Sequence, residues 1–203
     1  MNIKDIGVKN LFMIKSRADL KYFLEQDRIA LKRKKTLFPD DIYKYQILLR
    51  KAEYYSNCMP GILKKIGSIY KKRMYRLGRK CGGFSIDVNC FGPGLSIAHY
   101  GSIVVNKSAK IGCNCRIHEG VTIGATGGSG QAAIIGDNVF IATGAKIIGD
   151  IKLGNDIAIG ANAVVTKSFN EDGITLGGVP AKKISNNNSH QFITKELLYS
   201  IRK

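Results

Sequence analysis

The sequence predicts a mainly β protein: a parallel β-helix built from hexapeptides, preceded by a short, basic α-helical region. Three observations carry that reading. From His99 onward the apolar residues recur every six positions, glycine and charge are distributed in opposite senses along the chain, and the first 83 residues hold apolar stripes at helical spacing.

The N-terminal region, 1–83, carries 21 of the 32 Lys and Arg but only 7 of the 15 Asp and Glu, so most of the net charge of +17 lies there. Ser16 is placed to cap a first helix, with Asp19 three residues on and Leu20, Phe23 and Leu24 at helical spacing. Asp40 and Asp41 open a second, with Ile42, Tyr45, Leu49, Ala52 and Tyr55 on one face. A third, about residues 61–80, sets Ile62, Ile66, Ile69, Met74 and Leu77 against Lys64, Lys65, Lys71, Lys72, Arg73, Arg76, Arg79 and Lys80. Such a helix suits a solvated surface or peripheral contact with an anionic membrane. Nucleic acid is not expected, because no stacking platform or binding motif accompanies the charge.

The repeat occupies 84–185. Its register positions are His99, Val105, Ile111, Ile117, Ile123, Ser129, Ile135, Ile141, Ile147, Leu153, Ile159 and Val165. Four residues after a register position comes a small or apolar one, as at Ala109, Cys115, Val121, Ala133, Val139, Ala145 and Ala163. The pattern predicts a triangular prism in which each face takes one hexapeptide, the register residue points inward and glycine permits the turn. A period of six excludes an α-helix. Ile123 and Ile135 are twelve apart, so the glycine-rich stretch from Gly124 to Ile134 is expected to leave the prism as a loop and return in frame. His99 fills a slot that otherwise takes an aliphatic residue. Residues 186–203 read as a polar C-terminal tail.

With 44% apolar residues, disorder throughout is excluded. No apolar run is long enough to span a membrane, Met1 to Asp5 do not resemble a secretory signal, and five cysteines suggest no disulfide framework. The expected compartment is the cytoplasm. Three histidines, His99, His118 and His190, are not expected to converge, so no metal site is expected.

From Phe84 to Ser185 the chain resembles the serine O-acetyltransferase family of hexapeptide-repeat acyltransferases. The resemblance rests on Gly92-Pro93-Gly94-Leu95-Ser96-Ile97-Ala98-His99, Gly101-Ser102-Ile103-Val104-Val105, Gly120-Val121-Thr122-Ile123-Gly124 and Gly178-Val179-Pro180-Ala181-Lys182-Lys183-Ile184, in that order. It implies a left-handed β-helix, a homotrimer or dimer of trimers with sites between subunits, and acetyl-CoA as co-substrate. It also implies acetyl transfer to a small-molecule hydroxyl, L-serine by family. His99 aligns with the family's general base. Asp87 is the carboxylate just upstream and is a candidate partner for it, with Glu119 and His118 one coil later as rivals. The resemblance assigns CoA to Thr143, Gly144 and Ala161 and to the basic turn at Pro180, Lys182 and Lys183.

Two departures bear on the acceptor and the partners. Relatives that use serine carry an Arg-His pair late in the loop, where this chain has Gln131-Ala132-Ala133. The C-terminal Leu198 to Lys203 does not match the tail with which such enzymes dock on cysteine synthase. An O-acetyltransferase acting on a sugar of a capsule or exopolysaccharide precursor is the alternative reading, and a non-catalytic hexapeptide scaffold is the third.

Overall fold

A computed structural model describes residues 13–127 and 130–200. Met1 to Asp5, Gly128, Ser129 and Ile201 to Lys203, each singled out in the sequence, lie outside the described residues.

Helix α1 (Arg17–Ala30) starts where the Ser16 hydroxyl accepts from the Asp19 N–H at 3.0 Å. In α2 (Asp41–Cys58) the same service comes from Asp40, whose carboxylate accepts from the Tyr43 N–H at 2.9 Å. A 3₁₀ turn, Gly61–Leu63, leads into α3 (Lys64–Lys80), which packs along α2. Met74 is buried and Leu77 partly so, as the sequence stripe predicts, but Ile62 and Ile69 are 76% and 58% exposed. The cause is glycine. Gly67 meets α2 so closely that a Cβ there would lie 2.8 Å from Ser56 Oγ, and Gly78 lies against Phe84. The contact face of α3 therefore runs through Gly67, Met74 and Gly78, with Ile66 partly buried, and leaves Ile62 and Ile69 off it.

Among the described residues, fourteen short strands build the prism. One face is β1 (Phe84–Ile86), β3 (Ile103–Val105), β6 (Thr122–Gly124), β9 (Lys146–Ile148) and β12 (Val164–Val165), in parallel pairing. The second is β4 (Lys110–Ile111), β7 (Ile134–Ile135) and β10 (Lys152–Leu153). The third runs β2 (Ser96–Ile97), β5 (Arg116–Ile117), β8 (Phe140–Ile141), β11 (Ala158–Ile159) and β13 (Thr175–Gly177), closed by antiparallel β14 (Lys182–Ser185). The ten aliphatic register residues are inward and at most 4% exposed. Stacking them coil on coil, about 4.8 Å apart, makes one continuous core.

Two details differ from the sequence reading. Glycines directly after the register residue do not supply the turns: at one corner Gly120 and Gly144 do, at φ of +75° and +72°, and at another Asn114, Asn138 and Asp156 do, at +57°, +55° and +58°. Their side chains form a ladder up one corner, Asn114 Nδ2 donating to Asn138 Oδ1 and Asn138 Nδ2 to Asp156 Oδ1, both at 2.8 Å. Gly136 is needed for close stacking, since a Cβ would lie 2.6 Å from the Gly154 carbonyl oxygen of the next coil. The second difference concerns His99. Ile97 pairs with Ile117, so Ile97 holds the inward slot, and the coil has two extra residues before Val105, which pairs with Ile123. His99 sits in that enlarged corner and is exposed.

Helices and prism are joined by Arg50, which is fully buried. It donates to Asp27 at 2.8 and 3.2 Å, to Glu53 at 3.0 Å, and to the Phe91 and Gly92 carbonyls at 2.9 and 2.7 Å. Asp27 Oδ1 also accepts from the Gly94 and Leu95 N–H groups, both at 2.9 Å. The C-terminal segment returns to the helices: Thr194 Oγ1 donates to the Ala30 carbonyl, and Leu197 of α4 (Lys195–Ser200) is buried.

Candidate functional site

The corner that follows the third face collects the residues the sequence singles out. His99 leaves β2, Glu119 leaves β5 one coil up and Thr143 leaves β8 on the next, with Ala161 after β11. The Gly144 N–H donates to the Glu119 carbonyl and the Asn162 N–H to the Thr143 carbonyl, both at 2.9 Å, fixing this vertical order. The turn at Pro180 lies on top, where the Ala181 N–H donates to the Val164 carbonyl and the Gly178 carbonyl accepts from the Val164 N–H.

His99 is not alone there. Its ring meets His118 edge to face, centroids 5.0 Å apart, and a nitrogen of each ring and a carboxylate oxygen of Glu119 all lie within 4.8 Å of one another. His118 Nε2 and Glu119 Oε2 are both buried and have no hydrogen-bond partner among the described residues. Two polar atoms left open beside an exposed imidazole mark a place for an incoming polar group. These three residues are also the set, among the described residues, able to hold a metal ion. His190 is elsewhere, paired with Asp156 at 2.8 Å, so the three histidines do not converge.

The electrostatics separate the two neighbours. Burial first, then the cation of Arg116 and the His99 ring, lowers the His118 pKa, with Glu119 opposing. The Thr143 hydroxyl, ahead of the backbone, lowers that of Glu119, so the carboxylate is anionic at neutral pH.

Asp87 does not join this group. Its carboxylate follows β1, accepts from the Val88 N–H at 2.8 Å and takes a long contact of 3.4 Å from the Tyr75 hydroxyl. The carboxylate brought to His99 is Glu119, because the two extra residues in the first coil put position 119 directly over position 99. For the CoA positions the placement is mixed. Ala161, Pro180 and Lys182 are exposed along the corner and the turn, Thr143 is engaged with Glu119, the Gly144 N–H is engaged with the Glu119 carbonyl, and Lys183 is ion-paired with Glu171.

The sequence reading passed over Arg116. It points outward from β5, two residues before His118, and among the described residues its guanidinium reaches Ser96 Oγ alone, at 3.4 Å. The signal available was a charged residue in an outward slot of the hexapeptide that also carries His118.

The family model for bacterial transferase hexapeptide repeats (six repeats) matches residues 132–167. The serine acetyltransferase of Mycobacterium tuberculosis is 38% identical over 142 residues, covering 63% of this chain and 62% of that protein. Serine acetyltransferase from Neisseria gonorrhoeae, solved in complex with serine, superimposes with a TM-score of 0.61 at 25% identity, over 84% of this chain and 71% of that one. By sequence and by fold, this chain is similar to serine acetyltransferases. A further serine acetyltransferase, solved in complex with CoA, shares the fold with a TM-score of 0.64 at 22% identity, over 83% and 71% of the two chains. The β-helix common to these serine acetyltransferases is left-handed. The chain spans less than two thirds of the length of the curated serine acetyltransferases it matches. In the Gln131-Ala132-Ala133 stretch late in the loop, Ala132 and Ala133 are buried at 2% and 0% exposure, filling the prism as it resumes after the loop.

Proposed function

We propose that the chain is an acetyl-CoA-dependent O-acetyltransferase in which His99 is the general base. The observation that carries this reading is the convergence of His99, His118 and Glu119, with open polar atoms, in one corner beneath Thr143, Ala161 and Pro180. Similarity to serine acetyltransferases, one of them solved with CoA, supports the donor.

An alcohol attacks a thioester slowly at neutral pH unless its proton is removed as the bond forms. In this reading the acceptor hydroxyl donates to His99, its oxygen attacks the acetyl carbonyl carbon, and CoA leaves as the thiol after taking the proton back. Glu119 takes the role first sought in Asp87: an anion near the ring favours the imidazolium that forms. His118, held neutral, adds a hydrogen-bonding wall without a competing charge. Pantetheine would run up the corner past Ala161, where small side chains let the backbone be approached, toward Pro180 and Lys182.

The acceptor offered by the relatives' name is L-serine. Incubation with acetyl-CoA and L-serine, read as thiol release and as O-acetylserine by mass spectrometry, tests the reading. Thiol release that depends on an added hydroxyl compound supports it, and no acceptor-dependent release with any alcohol or amino acid overturns it.

A further inference from the structure

Above the outward face of β2, β5 and β8, the end of α1 and the returning C-terminal segment close over a cleft of about 580 Å³. Its walls include Lys32, Arg33, Arg116, His118, Phe140 and Phe192, and no Asp or Glu lines it among the described residues. The Arg33 guanidinium is paired with Asp40 at 2.8 Å. Neither Lys32 nor Arg116 has a carboxylate within ion-pairing distance among the described residues. Arg116 is therefore a half-buried cation with no acidic partner among the described residues and one long contact to Ser96. Lys32 occupies the left-handed position that ends α1, at φ +53°, where glycine is the unstrained choice. Phe140 and Phe192 stack with centroids 4.1 Å apart, and His118 stands edge-on to Phe140 at 5.0 Å.

We infer that this cleft is the acceptor site and that Arg116, helped by Lys32, holds the phosphate of a phosphorylated sugar. Three features select that class. A guanidinium and a lysine lining one cleft match a doubly charged phosphate, bidentate on the arginine. An amino acid zwitterion would bring an ammonium into a cleft whose walls hold no carboxylate to meet it. Phe192, 39% exposed and backed by the buried Phe140 ring, gives an apolar patch for a sugar ring, and a volume of this size far exceeds what serine fills. Arg116 and His118 stand two residues apart on one strand face, about 7 Å, a separation that one hexose ring spans. His118 forms the end of the cleft and its ring centroid is 5.0 Å from that of His99, so a hydroxyl on the far side of the sugar ring is carried past the edge of His118 to His99. A second recess of about 680 Å³ shares Lys32 and Arg33 and adds Arg28, Lys34 and Lys195 against one acid, Glu196, giving a net basic exit for a nucleotide attached through the phosphate.

This assignment rests on the corner being the transfer centre, and the test keeps the two apart by measuring binding as well as turnover. Glucose 1-phosphate, N-acetylglucosamine 1-phosphate, UDP-N-acetylglucosamine, free N-acetylglucosamine and L-serine are titrated calorimetrically into the wild type, Arg116→Gln, Arg116→Lys and His99→Asn. At least one phosphorylated sugar should bind the wild type and His99→Asn alike and bind Arg116→Gln at least about 10-fold more weakly, with Arg116→Lys between them. Free sugar and serine should show no dependence on Arg116. Such binding without acetyl transfer to any bound sugar supports the cleft while counting against the transfer centre. Equal affinity of phosphorylated sugars for wild type and folded Arg116→Gln overturns the inference, as does binding of none of the three, or binding of serine alone.

Discussion

His118 lies between two rings, edge to face with His99 at 5.0 Å on one side and with Phe140 at 5.0 Å on the other. It joins the corner that holds His99 to the cleft that holds Arg116. Its neutral state matters because a second positive charge beside His99 would oppose the imidazolium that proton abstraction creates.

A pH titration followed by NMR on the histidine ring protons is expected to give His118 a midpoint below the ordinary 6.5. Burial and Arg116 disfavour its charged form in the folded protein, whereas the unfolded chain protonates normally. Stability therefore declines as pH falls from 6.5 through the folded midpoint, because the unfolded state binds the extra proton. Arg116→Gln should move the midpoint upward. A His118 midpoint above 6.5 contradicts the electrostatic account.

Glu119→Gln keeps the shape of the side chain and removes its charge. The expected result is a fall in kcat of about 10-fold or more with a shifted pH–rate profile and little change in KM for acetyl-CoA. Asp87→Asn, acting on a carboxylate turned toward Val88 and Tyr75, should leave turnover within about 2-fold. The reverse pattern restores Asp87 as the partner of His99.

Removing Arg50 leaves Asp27 and Glu53 buried and unpaired, each at 1% exposure. Burial already raises the Glu53 pKa against the pull of Arg50. Arg50→Ala is expected to cost about 3–5 kcal/mol in urea unfolding. A loss below about 1 kcal/mol would show that the helices dock on the first coil by their apolar contacts alone.

Ile141 and Ile69 separate the two kinds of apolar period. Ile141→Ala, at 0% exposure in the prism, should cost about 2–5 kcal/mol, and Ile69→Ala, at 58% exposure, within about 0.5 kcal/mol. Equal costs would place Ile69 in the packed face of α3.

Much of this was legible in the residues. The six-residue period located the ten inward aliphatics, because every coil imposes the same constraint and a single pattern is written many times. Helix starts at Ser16 and Asp40 were legible for a similar reason: a cap is local. What failed were relations between distant segments. Counting sixes from His99 put it in an inward slot, and only the pairing of Ile97 with Ile117 reveals the two-residue enlargement that turns His99 out and sets Glu119 above it. Helical spacing put Ile62 and Ile69 on the packed face, whereas Gly67 and Gly78 decide how α3 is rotated. Asp87 looked closest to His99 along the chain, but a β-helix makes neighbours of residues one coil apart. The burial of Arg50 and the cleft at Arg116 depend on α1 and the C-terminal segment, which no period announces.

The most direct test is the turnover of acetyl-CoA by His99→Asn, checked for native Tm and run beside the wild type with an acceptor that the wild type uses. A loss of kcat of about 10²–10⁴-fold with KM for acetyl-CoA nearly unchanged is the expected result. Turnover equal to the wild type would remove His99 from the chemistry and with it the corner as the site of transfer.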